Sequence, residues 1–378
     1  MLSLLLKPVS GLCNMNCSYC FYRDEISQRS SGNSGIMSEK TLENILKRAL
    51  DYSPDALLLG FQGGEPLLRG LPFYERLIEL EERQGKKGRR IQHSLQTNGL
   101  LLDEAWCRFF KEHNFLVGLS LDGVRESHDR YRRELSGAPS YQRILERLRL
   151  LQRWSVDFNL LTVIHEDSAA RITKIYQSYR KLNCLYQQYI PCLDPPAASH
   201  GGCGSYLSPE SYGRMLIELF QLWYDDFKRG DPPHIRIFEN YLSLLLGAPP
   251  EACDMLGHCS LQYTVEADGS VYPCDFYCMD PYCLGNLNRD SFPDLNRRFR
   301  NTDFVQRSLP IPEECRRCSF YPLCRNGCFR QRCIEGEDPR PRNRYCRSFR
   351  MFFEACLPQL IELSELLIAQ SESMHKIP

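Results

Sequence analysis

Residues 13–20 read Cys-Asn-Met-Asn-Cys-Ser-Tyr-Cys, so three thiols, Cys13, Cys17 and Cys20, fall within eight residues of one another near the start of a 378-residue chain. Thiolates this dense bind a soft metal, and zinc, copper(I) and iron-sulfur clusters are the candidates. A closed structural zinc site wants four ligands at paired spacings. This triplet meets no further Cys or His before His93. Three ligands leave a position open, and on a four-iron cluster that vacancy is an iron free to bind a second molecule.

The rest of the chain is organised around that loop. Six short apolar runs, at 2–7, 56–61, 93–97, 115–121, 158–163 and 186–191, alternate with amphipathic stretches at 38–52, 72–82, 141–154, 169–182 and 209–228, with a further helix opened by Asp103. This is the pattern of repeated βα units around a parallel sheet, and six units make a partial (β/α)6 TIM-like barrel. In such barrels the chemistry gathers in the loops after the strand C-termini. The conspicuous residues fall there: the cysteine loop after strand one, Gln62-Gly63-Gly64-Glu65-Pro66 after strand two and Thr97-Asn98-Gly99 after strand three. Ser120-Leu121-Asp122-Gly123 ends strand four, and Pro191-Cys192-Leu193-Asp194-Pro195 follows strand six.

Formal net charge is zero and no apolar run reaches the length of a membrane span, so nothing global points to nucleic acid or to a bilayer. The first residues carry no basic leader, which places the 19 cysteines in a reducing cytoplasm as metal ligands instead of disulfides. A monomer is expected. The sequence divides into a barrel at 1–230, a Pro-flanked linker helix at 231–252, a Cys-rich domain at 253–350 and an amphipathic C-terminal helix at 351–378.

Eleven cysteines lie between Cys253 and Cys346, and Cys356 follows. A short hairpin at 263–272, turning at Ala267-Asp268-Gly269, sits among them. Cys315, Cys318, Cys324 and Cys328 have metal-ligand spacing, which taken alone serves a zinc ribbon as well as a cluster.

The C-x3-C-x2-C triplet with Tyr19 before its last cysteine resembles the signature of the radical S-adenosylmethionine (SAM) enzymes. The stretch from Cys259 through Ala267-Asp-Gly269 to Pro273-Cys-Asp275, followed by Leu284-Gly-Asn286 and the cysteines from Cys315 to Cys346, resembles the small Cys-rich SPASM domain of anaerobic sulfatase-maturating enzymes. The likeness extends to Leu5-Leu-Lys-Pro8, Phe61-Gln-Gly-Gly-Glu-Pro66, Ser94-Leu-Gln-Thr-Asn-Gly99 and Leu222-Trp-Tyr-Asp-Asp-Phe227, and so spans almost the whole chain.

That resemblance implies SAM and three [4Fe-4S] clusters, and oxidation of one Cys or Ser of a sulfatase to Cα-formylglycine without oxygen. It assigns the SAM-binding cluster to Cys13, Cys17 and Cys20, a first auxiliary cluster to Cys253, Cys259, Cys274 and Cys328, and a second to Cys315, Cys318, Cys324 and Cys346. It places Tyr19, Gly64, Ser120, Arg132 and Leu193 around SAM and makes Asp275 the general base. Its partners are an unfolded sulfatase segment bearing Cys/Ser-x-Pro-x-Arg and an electron donor such as flavodoxin or ferredoxin. Cys333 matches no ligand, and Cys107, Cys184, Cys192, Cys203, Cys278, Cys283 and Cys356 are read as buried or free thiols. The arginines of 316–350 are read as offsetting cluster charge and not as a nucleic-acid surface. Two other readings stand beside this one: a SPASM-type maturase that crosslinks a ribosomal peptide, and an inactive zinc-ribbon module on a barrel.

Overall fold

The computed structural model describes residues 1–30, 32–84, 88–193, 206–334 and 339–374. Asp194, Pro195 and Cys203 lie outside them. Among the described residues ten strands form one sheet, in the order β10-β9-β8-β1-β2-β3-β4-β5-β6-β7. The six expected strands are β1 (Leu2–Leu6), β2 (Ala56–Phe61), β3 (Arg90–Thr97), β4 (Phe115–Ser120), β5 (Phe158–Ile164) and β6 (Tyr186–Pro191), each parallel to the next. β3 starts three residues ahead of the expected His93, because exposed Arg90 and Gln92 flank Ile91 and break up the apolar signal there.

The helices between them are set by local chemistry. Ser38 caps Glu39–Tyr52 by accepting from the Thr41 N–H, Asp103 caps Glu104–Glu112 through Trp106 N–H, and Ser208 caps Pro209–Lys228 through Ser211 N–H. Their apolar faces bury Leu42, Ile45 and Leu46, Trp106 and Phe110, and Leu216, Leu219 and Phe220 against the sheet. The stretch read as one helix at 169–182 is two, Glu166–Ala169 and Ile172–Lys181. Here the His165 side chain accepts from Ser168 N–H and caps the first turn separately.

Three features depart from the sequence reading. The stretch read as a linker carries β7 (His234–Ile235), a seventh parallel strand beside β6, before the helix Arg236–Leu245. Two residues are too short to show a period. The C-terminal helix begins at Cys346, inside the Cys-rich region, and packs on Pro209–Lys228 through pairs such as Tyr224 to Glu362, at 2.6 Å.

The third feature matters most. The hairpin of β8 (Thr264–Val265) and β9 (Ser270–Tyr272), continued by β10 (Gly285–Asn286), sits on the free edge of the barrel sheet. β8 runs parallel to β1, with Leu5 N–H on the Tyr263 carbonyl at 3.1 Å and Lys7 N–H on the Val265 carbonyl at 2.8 Å. One sheet thus joins the barrel to the Cys-rich region. No described helix is long and apolar enough to cross a membrane.

Candidate active site

The glycine pair after β2 is where the cysteine loop docks. A Cβ on Gly64 would lie 1.9 Å from the Leu12 carbonyl oxygen and 2.7 Å from the Gly11 carbonyl carbon, and one on Gly63, at φ +128°, would lie 2.7 Å from the Ser10 oxygen. Only glycine permits that approach. Gly64 N–H donates to Ser10 and Glu65 N–H to Leu12, so backbone hydrogen bonds lock the loop over the strand end. Glu65, fully buried, accepts from Thr97 Oγ1 and Asn98 N–H at 2.7 Å each, tying the ends of β2 and β3 together. Burial pushes its carboxyl up to about 7 against those hydrogen bonds. Asn98 in turn donates to Asn14, at 2.7 Å.

Cys13, Cys17 and Cys20 line a cavity of about 220 Å³ together with Tyr19, Gly64, Ser120, Arg132, Leu193 and Asp275. Every residue that the sequence assigned to SAM and to the base faces one space. Tyr19 is held from two sides, donating to the Asp122 carboxylate and accepting from Arg132 Nη1 at 2.8 Å. Val163 N–H fixes the other Asp122 oxygen at 3.0 Å. Burial raises Asp122 from its ordinary range although Arg132 pulls the other way. Asp122 was quoted in the sequence only as a strand end, and its part in this network was not legible there.

The residues fit the cofactor they imply. Arg132 Nε is buried without a hydrogen-bond partner in a side chain that lines the cavity, a donor suited to a carboxylate. Cys13 is pushed up to about 12 chiefly by burial, with Glu65, Cys17 and Cys20 adding to it. Three thiols packed this way give up their protons when a metal supplies the compensating charge.

Asp275 stands at the opposite wall of the cavity, directly after β9. Tyr22 Oη reaches both its carboxylate oxygens at 2.7 Å, Gln62 Nε2 donates at 3.3 Å, and Lys7 Nζ lies 3.0 Å away. Tyr22 comes from the helix Phe21–Ser27, which follows Cys20 at once and which the sequence reading did not include. Below the cavity the barrel lumen opens toward the strand N-termini as a hollow of about 760 Å³ that shares Gln62, Gln96 and Leu161 with the site and adds Asn114, Asn159 and Gln188.

In the Cys-rich region Cys315, Cys318, Cys324 and Cys346 ring one hollow of about 40 Å³, capped by Phe320 and Phe349. Cys253, Cys259, Cys274 and Cys328 form a second group, each within electrostatic reach of others in it. Among the described residues no three His, Cys, Asp or Glu side chains converge on a single ion. Arg332 threads between the two groups and donates to the carbonyls of Ser308 (2.6 Å), Gly257 and Gly327 (2.9 Å each) and Asn326 (3.0 Å). It therefore satisfies backbone as well as facing Cys259 and Cys328. Cys107, Cys184, Cys192, Cys278, Cys283 and Cys356 form no disulfide. Cys333 is disulfide-bonded, against the expectation that no cysteine would pair.

Comparison with known proteins places this geometry. Residues 8–178 match the radical SAM superfamily and residues 257–319 an iron-sulfur cluster-binding domain called SPASM. The cysteine-type anaerobic sulfatase-maturating enzyme of Clostridium perfringens is 39% identical over 96% of this chain and 98% of its own. The chain belongs to the anaerobic sulfatase-maturating enzymes. The serine-type enzyme of Bacteroides thetaiotaomicron is 29% identical over 98% of this chain and 92% of its own. The structure of native anSMEcpe with bound AdoMet and the Cp18Cys peptide superposes with a TM-score of 0.91 at 38% identity, covering 97% of this chain and 99% of that one. As a radical SAM enzyme this maturase takes SAM and a [4Fe-4S] cluster, and its SPASM domain takes auxiliary iron-sulfur clusters.

The docking of the cysteine loop on Gly64 is directly testable. Gly64→Ala forces a methyl into the Leu12 carbonyl and should cost about 3 kcal/mol. Thermal unfolding should show the loss and iron content per chain should fall; wild-type values for both would contradict the packing.

Proposed function

We propose that this maturase oxidises a cysteine of a sulfatase to Cα-formylglycine, with Asp275 as general base. The observation that carries the reading is that Asp275 and the Cys13–Cys17–Cys20 loop line the same cavity. Bound SAM supplies a 5′-deoxyadenosyl radical that takes a hydrogen from the substrate Cβ. The remaining work falls to the chain. Arg132, Tyr19, Ser120, Gly64 and Leu193 hold and orient SAM, and Cys13, Cys17 and Cys20 hold the iron that binds it.

Asp275 then takes the proton from the substrate thiol, the substrate radical gives up one electron so that a thioaldehyde forms, and water converts this to the aldehyde with release of hydrogen sulfide. Cys274, one residue earlier, would hold the first auxiliary cluster with Cys253, Cys259 and Cys328, putting an electron acceptor beside the base. Cys315, Cys318, Cys324 and Cys346 would hold the second cluster, next to the surface where a flavodoxin or ferredoxin would dock. The carboxamides of Gln62, Gln96, Asn114, Asn159 and Gln188 suit the backbone of an extended Cys-x-Pro-x-Arg segment entering through the lumen.

A thiol substrate is favoured on two counts. Nearly full-length identity is 39% to a cysteine-type relative against 29% to a serine-type one. A carboxylate also takes a proton from a thiol of pKa about 8.5 far more readily than from a hydroxyl. We further place the protein in the cytoplasm as a monomer, divided at residues 230 and 252 into barrel and Cys-rich parts, with a single sheet crossing the division.

Anaerobic incubation with SAM, dithionite and matched Cys-x-Pro-x-Arg and Ser-x-Pro-x-Arg peptides tests this, with mass loss reporting product. The cysteine peptide should be converted faster, and equal or reversed rates would overturn the preference. Asp275→Asn should still release 5′-deoxyadenosine but lose about a hundredfold in formylglycine. An unimpaired yield would remove Asp275 from the base role.

A further inference from the structure

Lys7 directly follows β1 and is fully buried. It does not line the cavity. Its ammonium lies 3.0 Å from Asp275 Oδ1, 3.6 Å from Glu266 Oε1, 4.0 Å from Glu25 Oε2 and 3.2 Å from the Cys278 sulfur, and 4.1 Å over the Tyr22 ring. Arg29 grips Glu266 from the far side at 2.8 Å.

The charges divide cleanly. Burial works to raise Glu266, but Lys7 and Arg29 outweigh it and hold the carboxyl below its ordinary range. Burial raises Glu25 to about 8 in spite of Lys7, and at 4.0 Å it is the most distant of the three carboxyl groups around the ammonium. Cys278 is likewise raised, chiefly by burial. Lys7 thus stands between the carboxyl groups of Glu266 and Asp275, and Arg29 stands against Glu266. Glu266 is already held by Arg29, and the ammonium is left to bridge it to Asp275. A lysine side chain is otherwise among the most mobile in a protein, and here both its ends are fixed, the backbone by Val265 and the ammonium by Glu266.

We propose that Lys7 is a positioning residue for the reaction: anchored by Glu266 and Arg29, it aims the Asp275 carboxylate at the substrate thiol from behind. Lys7 touches neither SAM nor substrate and acts through Asp275. The inference rests on the base role of Asp275, and the test separates the two.

Lys7→Met keeps all but the terminal atom of the side chain's length and removes its charge. With the cysteine peptide, formylglycine should fall about a hundredfold more than 5′-deoxyadenosine does, a loss of coupling that a merely structural defect would not give. Glu266→Gln, which leaves Lys7 in place but frees its anchor, should shift the same product ratio in the same direction by a smaller factor. A parallel fall of both products in Lys7→Met, or an unchanged ratio in either folded, iron-loaded variant, would overturn the inference. Should Lys7→Met not fold, Glu266→Gln alone decides by the same ratio. Asp275→Asn run beside them distinguishes the failures: if it too couples normally the base assignment is wrong, and if it alone uncouples, only the role of Lys7 is.

Discussion

Two backbone hydrogen bonds, Leu5 N–H to the Tyr263 carbonyl and Lys7 N–H to the Val265 carbonyl, hold the site together. They attach β8 to the free edge of β1. Because β1 leads into the cysteine loop and β8–β9 leads into Cys274 and Asp275, the pairing brings Asp275 to the cavity that the three thiols line. An edge strand of a partial barrel exposes unpaired N–H and C=O groups. Here that edge carries the second half of the active site.

The polar groups around the site follow from this join. Lys7, Glu25, Arg29 and Glu266 come from both sides of the seam and would be expensive to bury alone, so they balance one another. On the other side of β1, the Gly63–Gly64 pair lets the cysteine loop lie on the backbone that follows β2, and Glu65 ties that strand to β3. The loop is thus fixed from beneath by glycine and from beside by the Glu65 and Asn98 hydrogen bonds, before any cluster is bound.

Much of this was legible in the chain. The barrel strands are five to eight residues long and carry enough apolar residues to be seen, and Ser38, Asp103 and Ser208 announce their helices by ordinary capping. The cavity residues Tyr19, Gly64, Ser120, Arg132, Leu193 and Asp275 came from motif likeness, and the structure sets them around one space. The edge pairing was not legible, because β7, β8 and β10 are two residues each and carry no period. The ring about Asp275 was hidden for the same reason, since Lys7 and Tyr22 are brought to it by tertiary pairing across more than 250 positions of sequence. A lysine closing the run Leu2-Ser-Leu-Leu-Leu-Lys was the one available sign, since a charge at the end of a buried strand needs a partner.

The central claim is that one cavity, lined by Cys13, Cys17, Cys20 and Asp275, serves both hydrogen abstraction from the substrate Cβ and proton removal at Asp275. The most direct measurement uses a sulfatase peptide whose target cysteine carries deuterium at Cβ, incubated anaerobically with the iron-loaded protein, SAM and dithionite. The account predicts that deuterium appears in the 5′-deoxyadenosine recovered alongside formylglycine. Formylglycine made while the 5′-deoxyadenosine stays free of deuterium would contradict it.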